Sequence, residues 1–268
     1  MALISIGLTT MNATTHSAIT LEICAGSVTS CLAAQEGGAQ RVEFCDNLLE
    51  GGTTPSYGQL AAARDRLWIT LHVIIRPRGG DFLYSDLEFE VMERDVLACK
   101  RLGVDGIVIG LLTSDGRVDI PRTKRLVELA APIPVTFHRA FDVACDPVQA
   151  LEDIISAGCV RLLSSGQAAS ALEGAALLKA LQAQAGDRLI VMPGAGVRGH
   201  NIAELVAATG CNEFHSSGRA PFPSGMVYRN PNVKMGAPGQ DEYSVVETDP
   251  QLVRELLSNA QNAAALRN

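Results

Sequence analysis

The chain has 268 residues, 47% of them hydrophobic, only 4% aromatic, and a net charge of −7 with a pI near 5.3. An acidic balance without a long basic run excludes a nucleic-acid-binding face, and the length allows one large domain or two small ones, each with ample core. Seven cysteines, an odd and scattered set without a Cys-x-x-Cys pair, exclude a disulfide framework and a structural zinc site and point to a reducing cytoplasm.

Residues 1–19 carry no Lys or Arg and no long apolar run, so neither a signal peptide nor a membrane span is expected. They read as a mobile extension ahead of a domain over 20–268, with Met11 an alternative start. From Thr20 onward one pattern recurs: a short β-branched run, a Gly- or Ser-bearing loop, an amphipathic helix, a glycine, and the next strand. Strands are predicted to open near Thr20, Arg41, Ile69, Asp105, Ile133, Val160, Arg188 and Asn212. Glycines 38, 103, 158, 186 and 210 fall where helices end, and Gly is favoured in that left-handed position. Ser56 to Gln59, Ser85 to Glu88 and Ser170 to Glu173 resemble capping boxes, while Asp146-Pro147 and Asp249-Pro250 place an acceptor before a first-turn proline. Eight βα units without a linker describe a single (β/α)8 TIM barrel of the α/β class. An open doubly wound sheet is the competing reading, but no Gly-x-Gly-x-x-Gly turn supports it.

Strand side chains alternate between two faces. One phase (Leu21, Ile23, Val42, Phe44, Val135, Phe137, Phe214) is apolar and should face the outer helices. The other holds Glu22, Cys24, Glu43, Cys45, His72, Thr136, His138, Glu213 and His215 and must point into the barrel. Charged groups are costly there unless paired or wetted, so they predict a polar mouth at the C-terminal ends of the strands.

The third strand leads into Arg76-Pro-Arg-Gly-Gly-Asp81, where Arg76, Arg78 and Asp81 crowd one turn. This reads as an anion or substrate site, with a plain surface ion pair as the simpler alternative. After the fifth strand, His138-Arg-Ala-Phe-Asp142 puts a base, a cation (Arg139) and an acid in one loop. Glu43, His138 and Asp142 are the candidate proton-transfer groups. The loops at Gly194, Gly196 and Ser216 follow the seventh and eighth strands, where barrels of this kind often hold phosphate on backbone amides. Residues 219–248 form a long Pro- and Gly-rich connection expected to act as a lid or an interface.

Seven stretches in this order resemble the CutC family, named for copper homeostasis: Gly37-Gly-Ala-Gln-Arg-Val-Glu43, Glu50-Gly-Gly-Thr-Thr-Pro-Ser56, Ile75 to Asp86, Pro134 to Asp142, Ser165-Gly166, Met192-Pro-Gly-Ala-Gly196 and Glu213-Phe-His-Ser-Ser217. The resemblance implies a cytosolic barrel that self-associates as a homodimer or homotetramer, without nucleic-acid or membrane partners, and a role in copper binding or tolerance. Carried over residue by residue, it implies Cys24 and Cys45 as ligands of copper(I), a choice that suits two thiolates on neighbouring strands. Two functions therefore stand side by side: a Cu(I)-handling protein, or an isomerase, lyase or hydrolase acting on a small anionic, possibly phosphorylated, metabolite.

Overall fold

The computed structural model describes residues 19–233 and 241–267. Strands and helices alternate along them as β1 (Thr20–Ala25), α1 (Val28–Glu36), β2 (Arg41–Phe44), α2 (Tyr57–Arg64), β3 (Thr70–Ile74), α3 (Asp86–Leu102), β4 (Gly106–Ile109), α4 (Ile120–Ala130), β5 (Val135–Phe137), α5 (Pro147–Ser156), β6 (Arg161–Ser164), α6 (Ala175–Ala185), β7 (Ile190–Pro193), α7 (Gly199–Thr209), β8 (Glu213–Ser216) and, after a hairpin, α8 (Pro250–Ala265). The parallel strands follow one another around a ring in the order β7-β6-β5-β4-β3-β2-β1-β8, and only the β7 to β8 seam lacks a ladder. This is a (β/α)8 barrel.

The helices begin where their caps dictate. Ser85 and Glu88 close a reciprocal capping box on α3, and Asp146 and Asp249 accept the first free amides of α5 and α8 ahead of their prolines. Ser170 also accepts from the Glu173 amide, but regular helix begins only at Ala175. The intervening Gly174 packs so closely on the Ser165 carbonyl that a Cβ there would lie 1.9 Å from it, so only glycine fits the end of the turn over residues 171–174.

The strand alternation is as the pattern requires. Leu21, Ile23, Val42, Phe44, Val135, Phe137 and Phe214 are all fully buried and join the apolar layer between strands and helices. The ladders set Glu22 opposite both Arg41 and His215, and Glu43 opposite both Cys24 and His72, so the polar phase converges inside the ring. Space for the imidazoles comes from β4 and the residue after it. A Cβ on Gly106 would lie 2.1 Å from the His72 ring and one on Gly110 would lie 2.3 Å from the His138 ring.

The connection from Arg219 to Thr248 contains regular structure. β9 (Arg219–Pro223) pairs antiparallel with β10 (Ser244–Thr248), and the Glu247 carboxylate accepts hydrogen bonds from Ser27 and Ser30 at the start of α1. The pairing survives Pro221 and Pro223 because prolines are tolerated in an edge ribbon. The extension expected over residues 1–19 lies, but for Ile19, outside the described residues, as does the middle of that connection at 234–240. No helix among the described residues is long and apolar enough to cross a membrane.

Candidate functional site

The barrel interior is built in two storeys. The lower one begins at the N-terminal ends of the strands, where Arg41, Arg161 and Glu213 are each the first residue of β2, β6 and β8. Arg41 bridges Glu22 and Glu213, and Arg161 donates to Glu213 at 2.7 Å. His72 Nδ1 lies 3.5 Å from Glu22, close but without hydrogen-bond geometry. Burial opposes charge on Glu22, yet the Arg41 guanidinium and then His215 hold its carboxyl far below the usual carboxylate range. His72 is pushed down to about 4, first by burial and then by the guanidiniums, against the pull of Glu22, and is therefore neutral. Not every inward polar group serves the mouth: this layer is a charge-balanced plug, and removing one member would strand another without water. Arg41 and Arg161, which balance it, escaped the sequence reading, although Arg41 shares the phase of Glu43 and Cys45.

The upper storey opens at the C-terminal ends. Cys24 on β1 is half-buried, Cys45 just past β2 is buried, and their sulfurs are 3.7 Å apart. His215 Nδ1 meets Glu22 at 2.7 Å, which aims the other imidazole nitrogen upward, 3.6 Å from Glu43. The hydrogen bond from Cys45 and then that from His215 hold the Cys24 thiol well below its ordinary value, while the same bond, with burial, holds Cys45 well above it. Burial works against a charged His215, but hydrogen bonds to Cys24 and Glu22 outweigh it and keep the imidazolium. Burial also pushes the Glu43 carboxyl up to about 8, against the pull of His215. These shifts favour charge on Cys24 and His215 and oppose it on Cys45 and Glu43. By contrast, Cys31, Cys99 and Cys159 are pushed up to about 12, and Cys211 to about 11, by burial in apolar surroundings, which leaves them inert.

The donors of Cys24, Glu43 and Cys45 all lie within 4.8 Å of one another, as do those of Glu22, Glu43 and His215. Cys24 and Cys45 thus form the soft half of a set that a carboxyl can complete.

The opposite wall carries His138. The Ala140 amide donates to its Nδ1 at 3.1 Å, so the ring proton sits on Nε2, which has no partner. Burial, then the Arg76 guanidinium, pushes this histidine down to about 3, so the ring is a neutral donor. Phe82 packs between the two, its ring centroid 5.2 Å from that of His138 and 5.1 Å from the Arg76 guanidinium carbon. Arg76 is buried and held by the carbonyls of Glu50, Gly52 and Gly80.

These walls enclose a cavity of about 240 Å³ at the mouth. Of the residues singled out in the sequence, Cys24, Cys45, Glu43, Arg76, His138, Arg139, Gly196, His215 and Ser216 line it, joined by Arg198, Ser217 and Arg219. Arg78, Asp81, Asp142 and Gly194 do not. Arg78 spends its charge on Glu88 at 2.6 Å and Asp81 at 2.9 Å, the surface ion pair that was the simpler alternative. Asp142 accepts from the hydroxyls of Ser164 and Ser165 and from the Ser165 amide, and so clamps the β6 loop, with Arg139 at 2.7 Å on its outer side. Gly194 leaves room for Leu163, which a Cβ would approach to 2.5 Å.

The CutC family model matches residues 19–220. The chain belongs to the CutC family. A CutC family protein from Chromobacterium violaceum is 68% identical over 236 residues, 88% of this chain and 96% of that one. The mouse copper homeostasis protein cutC homolog is 48% identical over 90% of this chain and 89% of its own. A crystal structure of CutC from Streptococcus agalactiae superposes with a TM-score of 0.71 at 36% identity, covering 74% of this chain and 98% of that one. A phosphoribosylanthranilate isomerase from Thermotoga maritima, at 13% identity and a TM-score of 0.55 over 91% of this chain and 99% of its own, shares the barrel alone.

Proposed function

We propose that this CutC family barrel binds Cu(I) through Cys24 and Cys45 and hands it on to other thiols in the cytoplasm, as part of copper homeostasis. The observation that carries the reading is the 3.7 Å between the two sulfurs. Metal–thiolate bonds of about 2.3 Å at angles between tetrahedral and trigonal hold two sulfurs roughly 3.8–4.0 Å apart, so little movement is needed. Soft thiolates favour Cu(I) over harder ions, and Glu43 stands within reach as a third donor. A cuprous dithiolate is an anion, and the His215 imidazolium and Arg219, both felt by Cys24, offset its charge. Self-association as a homodimer or homotetramer belongs to the same proposal and rests on the family resemblance. X-ray absorption of the Cu(I)-loaded protein tests the reading: two sulfur ligands, lost on Cys24→Ser, are expected, and a shell of nitrogen and oxygen alone would overturn it.

One observation favours a second reading. The same cavity presents a neutral imidazole donor and several guanidiniums, equipment that a copper carrier does not need. An enzyme on a small anionic metabolite would use both, with Glu43 exchanging a proton near neutral pH, where a carboxyl at about 8 is well placed. Conversion of a candidate metabolite that Glu43→Gln abolishes is the expected result; conversion unchanged in that variant would remove Glu43 from the chemistry.

A further inference from the structure

In a chain of net charge −7, the mouth is a local inversion. Arg76, Arg139, Arg198 and Arg219 reach its wall against one carboxyl, Glu43. Two of the four are already committed: Arg139 to Asp142, and Arg76 to three backbone carbonyls. Arg198 and Arg219 have no carboxylate partner among the described residues, and Arg198 reaches only the Val197 carbonyl at 3.3 Å and the Ser217 hydroxyl at 3.5 Å. Both line the cavity, Arg198 at the end of the loop from Ala195 that leads into α7.

An independent observation comes from the other wall. Among the described residues, His138 Nε2 is a buried donor without a partner, on a residue that is 5% exposed. The Ala140 amide fixes the His138 tautomer, so Nε2 must donate. A buried donor left unmade carries its full desolvation penalty, which a ligand oxygen relieves.

We propose that the cavity takes a small organic anion in one orientation, its phosphate on Arg198 and Arg219, and a carboxylate, carbonyl or hydroxyl oxygen on His138 Nε2–H beside Phe82. The inference rests on the second reading above and adds to it the class and pose of the ligand: a compact two-ended molecule such as a phosphorylated oxo or hydroxy acid. A volume of about 240 Å³ lies below the roughly 300–1,000 Å³ of drug-sized sites, so the ligand is small.

Calorimetric titration of the full chain with 2-phosphoglycolate and with inorganic phosphate, at one fixed ionic strength, tests it. Saturable one-to-one binding of 2-phosphoglycolate is expected, about tenfold or more tighter than phosphate, since each tenfold is about 1.4 kcal/mol, the scale of one good hydrogen bond. Arg198→Ala, and independently Arg219→Ala, should weaken both ligands about tenfold. His138→Gln should weaken 2-phosphoglycolate several-fold while leaving phosphate unchanged, a split that a general loss of structure would not produce. Arg188→Ala, which removes the same charge from an exposed pair with Glu152, should change neither. If 2-phosphoglycolate binds and none of the mouth variants moves its affinity, the pose is overturned while the small-anion reading stands. If neither ligand binds saturably, both fall.

Discussion

Glu22 Oε1 lies 2.7 Å from His215 Nδ1, and through this contact the buried ionic layer reaches the mouth of the barrel. Glu22 also holds Arg41, so one carboxylate both neutralises the plug and sets the charge of the imidazole beneath Cys24. Glu22→Gln should cost about 3–5 kcal/mol, the range for stranding a buried partner, read as a lowered urea midpoint. It should also slow alkylation of Cys24 near pH 6, because the imidazolium that favours the thiolate is lost. An unchanged midpoint and an unchanged alkylation profile would separate the two storeys.

The neutral histidines set an acid limit. His72 at about 4 and His138 at about 3 lie below the ordinary value near 6.5. Between pH 6.5 and about 4 the unfolded chain binds protons at these sites that the folded chain refuses. Their contribution to stability is therefore present above pH 6.5 and lost progressively as pH falls toward 4 and then 3. Glu22 acts in the same direction at lower pH, since its depressed carboxyl stabilises the fold above about pH 4.3 and ceases to do so in strong acid. Glu43 acts oppositely: its carboxyl, raised to about 8, favours the fold below about pH 4.3, an advantage lost as pH rises toward 8. Denaturation midpoints across pH 3.5–7 should fall steeply below 6.5. In His72→Gln the fall should be shallower, and an equal slope would contradict a neutral His72.

Two glycines make a matched pair. Gly106→Ala places a Cβ 2.1 Å from His72 in a closed interior and should cost about 2 kcal/mol or more. Gly58→Ala, in the first turn of α2 with nothing within 4 Å, should stabilise by about 0.5–1 kcal/mol. Thermal unfolding reads both, and the same sign for the two would contradict the packing of His72 against β4.

Much of this architecture was legible because strand alternation has a period of two. Glu43, His138, Cys24 and Cys45 share the inward phase, and the cavity gathers them. Charge without phase was less informative. Arg78 and Asp81 form a turn that reads like a site, yet they neutralise each other and Glu88, and no pattern distinguishes a satisfied cluster from an unsatisfied one. Asp142 likewise spends its oxygens on the β6 loop. Arg198 and Arg219 carry no signal of their own in the sequence, because only the folded ring brings the seventh and eighth loops to one cavity. The hairpin of β9 and β10 was hidden by its prolines.

The cysteine pair is the centre of the account. Cu(I) affinity measured in a reducing buffer, by competition with a chromophoric Cu(I) chelator, should fall on the order of 100-fold or more, about 2.7 kcal/mol, when Cys24→Ser is combined with Cys45→Ser. Equal affinity in the wild-type and doubly substituted proteins, both folded, would contradict it.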